Sequence, residues 1–510
     1  MDCVIACDLG TGGVKSAVFG ADGVCLAESV VAYETFYPAP GRHEQRPLDW
    51  WNSVTSSIRT LLARPEVEAS QIRGISISGH SLGCVPLDAD GELLQHSVPI
   101  WSDGRAQAEA EAFFARYNYD LWYETTGNGF PAPLYTLFKV LWLRRHMPDI
   151  FNATHTITGT KDYINFRLTG RLATDPSYAS GTGVYDLAAG TYSRAILDAS
   201  GIDASLFAEI LPSTAVVGKL LPDVAAALGL PQGVQVMAGG VDNSCMALGS
   251  RTFHDGDIFC SMGSSSWLTI ACKAPLLDRH VRPYSFAHVV PGLCISATSI
   301  FSSGTTVNWV RDILMSDVAS SARAEARDVY QALADLAQEA QPGSGGLLFV
   351  PTLGGGTSLE GGPAVRGAFV GLDLGHGRPE IMRATFEGIA LALRVALDAL
   401  RKMTEVSDEI VIVGGGARSA LWRQIFADIF DCRIVKTVVD QQAAALGAAA
   451  LAFVGLGIWR DFEPIVGLHA VEHAHRPDPA GASLVERQRS AFLVAMQQQQ
   501  AIAVALSALR

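Results

Sequence analysis

Residues 3–30 read CVIACDLGTGGVKSAVFGADGVCLAESV, and the way their apolar runs break at glycine decides the fold. Cys3 to Asp8 is a short apolar strand that ends in a carboxylate. Gly10, Gly12 and Gly13 interrupt it, and Val14 to Phe19 resumes as a second strand. Asp22-Gly23 is a hairpin signal, after which Val24 to Val30 returns. The pattern predicts a meander of three antiparallel strands with a polar, glycine-rich hairpin at one end. A helix is expected from about Leu48, because Pro47 suits a first helical turn. Arg73 to Ser78 is the next strand.

The same opening returns in the second half of the chain. Asp257-Ile-Phe-Cys-Ser-Met-Gly263 is again a short strand running into glycine and hydroxyl residues. Ser264-Ser265-Ser266 makes the hairpin, and Trp267 to Ala271 is the returning strand. Later segments also echo each other: Val234 to Gly240 and Glu409 to Gly415 are each a strand that breaks into glycines before a helix. The repetition predicts an α/β chain of two duplicated domains, residues 1–247 and 248–510, facing each other across a cleft.

Composition narrows the classes. With 510 residues, 49% of them apolar and 17% charged, the chain can bury a large core. A formal net charge of −13 argues against a nucleic-acid binder, which needs a basic face. Any anionic ligand must therefore be held locally, by backbone N–H groups, one or two cationic side chains, or a metal. The nine cysteines are scattered among apolar neighbours without CxxC or zinc spacing, which favours reduced, buried thiols in a cytosolic protein. The N-terminus meets Asp2 and Asp8 too early for a signal peptide. Ala443 to Trp459 is uncharged but mostly alanine, short of the ~20 strongly apolar residues of a membrane span, and reads as a buried helix. A cytoplasmic location with neither nucleic-acid nor membrane partner is expected.

Several constellations carry chemistry. Asp8-Leu9-Gly10-Thr11-Gly12-Gly13-Val14-Lys15 combines glycines that let backbone N–H groups converge on an anion with a hydroxyl and a cation. Asp8, at the strand end beside it, suits a Mg²⁺ ion shared with phosphates; the plainer account is a tight hairpin that needs glycine. Gly263-Ser264-Ser265 stands at the matching place in the other half. No Walker A sequence completes, since Gly218-Lys219 is followed by leucine. In Gly239-Gly240-Val241-Asp242-Asn243 a strand delivers a carboxylate at a glycine break before a helix at Ser244 to Leu248. Asp242 there serves as a general base or as the helix N-cap, and position alone leaves both open. Gly414-Gly415-Gly416-Ala417-Arg418-Ser419 would let a base or ribose lie against the backbone, or is a plain turn. Trp101-Ser102-Asp103-Gly104-Arg105 suits a polyhydroxylated ligand, or is a surface ion pair. His469-x-x-x-His473-x-His475 lacks cysteines or a HExxH core and reads as a solvated connection rather than a metal site.

Gly79-His80-Ser81-Leu82-Gly83 has the GxSxG spacing of a hydrolase nucleophile elbow. An elbow needs a helix straight after the serine, whereas Cys84-Val-Pro-Leu87 continues as a strand into the turn Asp88-Ala-Asp-Gly91. Ser81 is read as a loop residue rather than a nucleophile.

Together these residues resemble the FGGY family of carbohydrate kinases. Gly367-Ala-Phe-Val-Gly371-Leu372 with Glu380-Ile-Met-Arg-Ala-Thr-Phe-Glu387 matches the family's C-terminal signature, and Thr136 to His146, with Lys139 and Trp142, matches most of its other signature. Leu134 departs at that signature's first position. Within the family the chain is most similar to the xylulokinase branch, through Trp101–Arg105, Lys161-Asp-Tyr163, Gly239–Asn243 and Gly414–Ser419. The resemblance implies two actin-like (ribonuclease H-like) domains, ATP and Mg²⁺ as cofactors, a sugar or polyol acceptor, a possible homodimer, and Asp242 as the catalytic base. It implies phosphate contacts at Gly10, Thr11, Gly12, Gly13, Lys15, Gly263, Ser264, Ser265 and Gly304, and adenosine at Gly415, Gly416, Arg418 and Ser419. The metal falls to Asp8 and Asp242, and the acceptor to His80, Ser81, Trp101, Asp103, Arg105, Asp242 and Asn243. Two departures bear on which sugar is taken: Leu82 stands where the branch usually has a sugar-touching histidine, and Gly356-Thr357-Ser358-Leu359 replaces a Glu-Arg-Thr-Pro string. The implied reaction is phosphorylation of a primary hydroxyl, D-xylulose being the first candidate. Other ketoses, pentitols, gluconate or glycerol are alternatives, as is a non-catalytic switch driven by ATP or sugar.

Overall fold

The computed structural model describes residues 1–300, 302–507 and 509. By its contacts the chain divides into two compact units. The first comprises Met1–Asp255, Ala271–Ser296 and Gln442–His469; the second comprises Gly256–Ile270, Ala297–Gln441 and Ala470–Arg510.

In the first unit β1 (Cys3–Gly10), β2 (Gly13–Gly20) and β3 (Cys25–Ala32) form the expected antiparallel meander. Helix α1 (Pro47–Leu62) opens on Pro47, carries Asp49 in its first turn and Arg59 in its last, and buries Trp50, Val54, Ile58 and Leu61. That helical spacing lays one apolar stripe on the sheet, and each such side chain fully buried contributes about 1.5–3 kcal/mol. Strand β4 (Ile72–Gly79) pairs parallel with β1. After α2 (Thr160–Thr169), β5 (Val216–Lys219) and β6 (Gln235–Met237) extend the sheet, and β7 (Gly240–Val241) adds to β4 near its end. Helix α3 (Asp242–Gly249) follows at once, two residues earlier than its small-residue run predicts.

The alanine-rich stretch forms a helix, Ala443–Gly455, buried from Ala443 to Phe453. It packs on α3, β1 and β4. The crossing with α3 is so close that a Cβ on Gly249 would lie 1.8 Å from the Ala443 carbonyl oxygen, and one on Gly447 1.9 Å from that of Cys245. Small residues are what this contact requires, which explains why the stretch is long and apolar without being bulky. No helix among the described residues is long and apolar enough to cross a membrane.

The second unit repeats the plan. Strand β8 (Ile258–Met262) pairs antiparallel with β9 (Ser266–Cys272), and α4 (Gly304–Ile313) follows. Then β8 pairs parallel with β10 (Glu409–Val413), α5 (Ala420–Phe430) intervenes, and β10 pairs parallel with β11 (Arg433–Thr437). Strand β12 (Val471–His475) closes the series antiparallel to β11. Strand order and direction in β5-β6-β4-β1-β2 and β12-β11-β10-β8-β9 correspond one for one, so the duplication read from the short glycine-ended strands extends through five strands of each sheet.

The tail differs from its expectation as a solvated connection. Residues 471–475 pair with β11, and His469 is buried with Nε2 2.9 Å from the Gly249 carbonyl oxygen. Outward-facing histidines and a glutamate hid this edge strand from the pattern. Nine free cysteines are present, eight buried and Cys25 half-buried.

Candidate active site

Strands β1 and β4 put Asp8 opposite Ser78, and β7 puts Gly240 opposite the same serine. Asp8 and Asp242, the residue just past β7, therefore emerge at the same end of neighbouring strands in the middle of the sheet. The Ser78 hydroxyl donates to Asp8 Oδ1 at 2.7 Å. Asp242 is the first residue of α3 rather than its N-cap; Val241 holds the cap position, with no side-chain bond. Asp242 Oδ1 accepts the Asn243 N–H at 2.7 Å. Asp242 therefore does not occupy the N-cap position, although its carboxylate still accepts one first-turn N–H.

Burial pushes the Asp242 carboxyl up, the Asp8 carboxylate pushes it further, and the Asn243 N–H only partly offsets them, leaving it at about 7. Burial also raises Asp8, against the Ser78 hydroxyl and the cation of Lys15, which faces it across the β1–β2 ladder. Among the described residues no group of three His, Cys, Asp or Glu gathers as a metal site. Two carboxylates without a third ligand fit a Mg²⁺ ion that keeps several waters and shares phosphate oxygens, not an ion caged by protein.

The β1–β2 hairpin turns at Thr11-Gly12, and side chains that sequence reasoning missed pin it. Tyr33 donates to the Gly10 carbonyl. Gln45 Nε2 donates to the Thr11 carbonyl at 2.7 Å, and Trp101 Nε1 to Thr11 Oγ1 at 2.9 Å. A Cβ on Gly13 would sit 2.6 Å from the Val31 carbonyl oxygen, whereas one on Gly12 meets nothing within 4 Å. Packing thus demands glycine at 13, while the space over Gly12 is open to a ligand.

The amide of Gln45 has a fixed orientation. Its Oε1 accepts Trp50 Nε1, which can only donate, at 2.9 Å. His80 Nε2, 3.3 Å from the same oxygen, must then carry its proton, and Nδ1 faces Thr160 Oγ1 at 3.1 Å. Burial lowers the His80 imidazole to about 4, so it is neutral at physiological pH. Ser81 is buried, and no helix follows it. Val85–Leu87 is a strand paired with Thr156–Thr158, and the strained residue is Leu82, at φ +61°. The hydrolase elbow is absent.

Asp103 and Arg105 form a buried pair, not the surface pair that was the plainer alternative: their side chains are 0% and 5% exposed. Asp103 accepts Arg105 Nε at 2.8 Å and Nη2 at 2.7 Å, and the His43 N–H at 2.7 Å. Arg105 also bonds Glu44 at 2.6 Å and lies 4.9 Å from the Trp142 ring centroid. Lys139 is buried, with Nζ donating to the carbonyls of Leu82, Ile100 and Leu134 at 2.7, 2.6 and 2.7 Å. Two loops that carry candidate acceptor residues, at Leu82 and at Ile100, and the 3₁₀ turn ending at Leu134 thus converge on one ammonium.

In the second unit the turn at Gly263, Ser264 and Ser265 rests on the start of α4. The Gly304 N–H donates to the Gly263 carbonyl at 3.1 Å, and a Cβ on Gly304 would lie 2.4 Å from that oxygen. Gly304 therefore serves close approach of the turn. Gly415, Gly416 and Arg418 lie in a single 3₁₀ turn after β10. Gly415 is exposed and a Cβ there would meet nothing within 4 Å, while Gly416 is packed against Met262 and Trp422. Arg418 is exposed, and the Ser419 hydroxyl caps α5 by accepting the Trp422 N–H at 3.2 Å.

Two family models match this chain: the N-terminal domain of the FGGY family of carbohydrate kinases over residues 3–249, and its C-terminal domain over residues 258–456. A xylulose kinase of Bacillus subtilis is 30% identical over 466 residues, 91% of this chain and 90% of that one. Two solved structures from Lactobacillus acidophilus, a ligand-bound xylulose kinase and a gluconate kinase, each superpose with a TM-score of 0.90 at 26% identity. The first covers 98% of both chains, the second 99% of both.

Proposed function

Because the chain belongs to the FGGY family of carbohydrate kinases, phosphotransferases of the actin-like fold that move a phosphoryl group from ATP to a sugar, we propose that Asp242 is the base that takes the proton from the attacking hydroxyl. The observation that carries this is its setting: a carboxyl at the first turn of α3, raised to about 7 by burial and by Asp8. A base of that affinity accepts a proton at neutral pH without being permanently protonated.

On this reading the chain's own groups mostly bind and orient, as phosphoryl transfer requires. Residues 1–247 and 248–510 act as the two functional halves. Gly10, Thr11, Gly12, Gly13 and Lys15 hold phosphate oxygens from the first half, and Gly263, Ser264, Ser265 and Gly304 from the second. Gly415, Gly416, Arg418 and Ser419 receive the adenosine. Asp8 and Asp242 would hold Mg²⁺, whose chemistry is to neutralise charge on the phosphoryl oxygens. His80, Ser81, Trp101, Asp103, Arg105 and Asn243 form and brace the acceptor site. The buried Asp103–Arg105 pair supports this by stiffening the loop that carries Trp101, and neutral His80 supports it by presenting no charge to an uncharged sugar.

The acceptor that the relatives favour is D-xylulose, giving D-xylulose 5-phosphate. Leu82 supplies a specific reason to weigh others: an apolar side chain offers a sugar hydroxyl no hydrogen bond, and a site that loses such a partner shifts its preference. The test has two parts. Asp242→Asn is expected to lower sugar-dependent ADP release by about 10²–10⁴-fold while ATP still binds. A coupled assay over pentuloses, hexuloses, pentitols, gluconate and glycerol then ranks acceptors. Turnover of the Asn variant at the wild-type rate would remove Asp242 from its role, and sugar-independent hydrolysis would point to a switch.

A further inference from the structure

Asp242 sits at the end of a break in the sheet, Gly239-Gly240, and its aim depends on that break being held. Gly239 has φ +72°, and a Cβ there would lie 2.1 Å from the Ile77 carbonyl oxygen. Backbone bonds fix the near side: the Ala238 N–H donates to Ala215 at 2.9 Å and the Gly239 N–H to Ser213 at 3.0 Å. Gly240 and Val241 pair with β4, and buried side chains meet two further groups. The Ala238 carbonyl accepts Lys161 Nζ at 3.1 Å and Asn165 Nδ2 at 3.0 Å. On the far side the Val241 N–H, one residue before Asp242, donates to Ser177 Oγ at 2.9 Å.

These two ends are joined behind the break. The Ser177 hydroxyl donates to Asp175 Oδ2 at 2.6 Å, and Ser213 Oγ donates to the same oxygen at 2.8 Å. Asp175 Oδ1 lies 2.9 Å from Lys161 Nζ, which also pairs with Asp162. Lys161, Asp175 and Ser177 are all 0% exposed. A closed circuit thus runs from Ala238 through Lys161, Asp175 and Ser177 to Val241, bracketing both glycines. Each member is engaged: the serine directs its own proton at the Asp175 carboxylate while a lone pair accepts from Val241, and Asp175 pairs with Lys161.

We propose that Ser177, backed by Asp175 and Lys161, is a positioning residue for the phosphoryl-transfer reaction, fixing the Gly240–Val241 peptide that leads into Asp242. This rests on Asp242 being the base. The Gly240–Val241 peptide follows a glycine, whose backbone is the least restricted; pairing of β7 with β4 holds it from one direction, and the Ser177 hydroxyl, accepting the Val241 N–H, holds it from another. Misplacing a reacting group by about 1 Å can cost ~10²-fold in rate.

The experiment compares Ser177→Ala, Ser177→Thr and Asp242→Asn in the full-length enzyme. Ser177→Ala is expected to lower kcat by about 10- to 100-fold with KM for ATP within about twofold of wild type, and to shift the acid limb of the rate–pH profile. The threonine variant, which keeps the hydroxyl, should recover most of the rate. Thermal melts and the fraction of active sites from ATP binding correct for any misfolded protein. A kcat for Ser177→Ala within twofold of wild type, or a loss wholly explained by the folded fraction, overturns the proposal if Asp242→Asn is silent. If Asp242→Asn itself turns over normally, the reading of the base fails first.

Discussion

At the scale of a residue, Asp242 is poised against its own fold. Its carboxyl is raised from 3.8 to about 7 by burial and by Asp8. A group whose folded value lies above its unfolded one stabilises fully below the unfolded value, and that contribution is lost as pH rises through the folded one. Wild type should therefore lose stability between about pH 4 and pH 7, and Asp242→Asn should escape that loss. The variant is expected to melt about 1–3 °C higher than wild type at pH 8 and at the same temperature near pH 4. Calorimetry across that range checks it, and a variant less stable than wild type at pH 8 contradicts it. The same titration predicts that kcat/KM of the wild-type enzyme declines below about pH 7 as the base becomes protonated. Enhanced stability on losing a functional charge is the usual trade of a site built for chemistry rather than for packing.

At the scale of an element, the two hairpin glycines separate binding from folding. Gly12→Ala projects into open space, whereas Gly13→Ala drives a methyl group to within 2.6 Å of the Val31 carbonyl oxygen. The first is expected to raise KM for ATP about tenfold, the worth of roughly one neutral hydrogen bond, with an unchanged melting temperature. The second should lower the melting temperature as well as raise KM for ATP, since Gly13 both packs against β3 and is proposed to hold phosphate oxygens. Initial-rate kinetics alongside thermal melts decides the matter; equal effects from both variants would mean that the turn is merely a turn. These elements also show how far the sequence could be read. Strands ending in glycine and carboxylate announced the hairpins, the strand pattern of both halves and the place of Asp242, because period and punctuation are local. The supports of the site were silent because they are distant in sequence: Gln45 reaches Thr11, Lys139 gathers three loops, and Ser177 meets Val241. Ser78 left one faint mark, a hydroxyl next to the glycine that ends its strand, as did Asp175 before Pro176, an N-cap signature.

At the scale of the whole molecule, the first unit is assembled from three stretches of chain, and its last contribution is the helix Ala443–Gly455. That helix covers α3, β1 and β4, the elements that carry Asp242, Asp8 and Ser78. A fragment that stops at residue 247 therefore leaves an apolar sheet face bare and is expected to be aggregated or protease-sensitive, while the first unit of the full-length protein is expected to resist cleavage. Limited proteolysis and light scattering compare them, and a soluble, protease-resistant fragment of residues 1–247 would contradict the expectation.

The late arrival of that helix also sets a timetable for biosynthesis. At ~5–20 residues per second, the roughly 360 residues between Gly79 and Ala443 take about 20–70 s to emerge from the ribosome. Throughout that interval the nascent chain displays an unfinished greasy surface, so its yield in cells should depend on chaperones that shield it until translation nears its end.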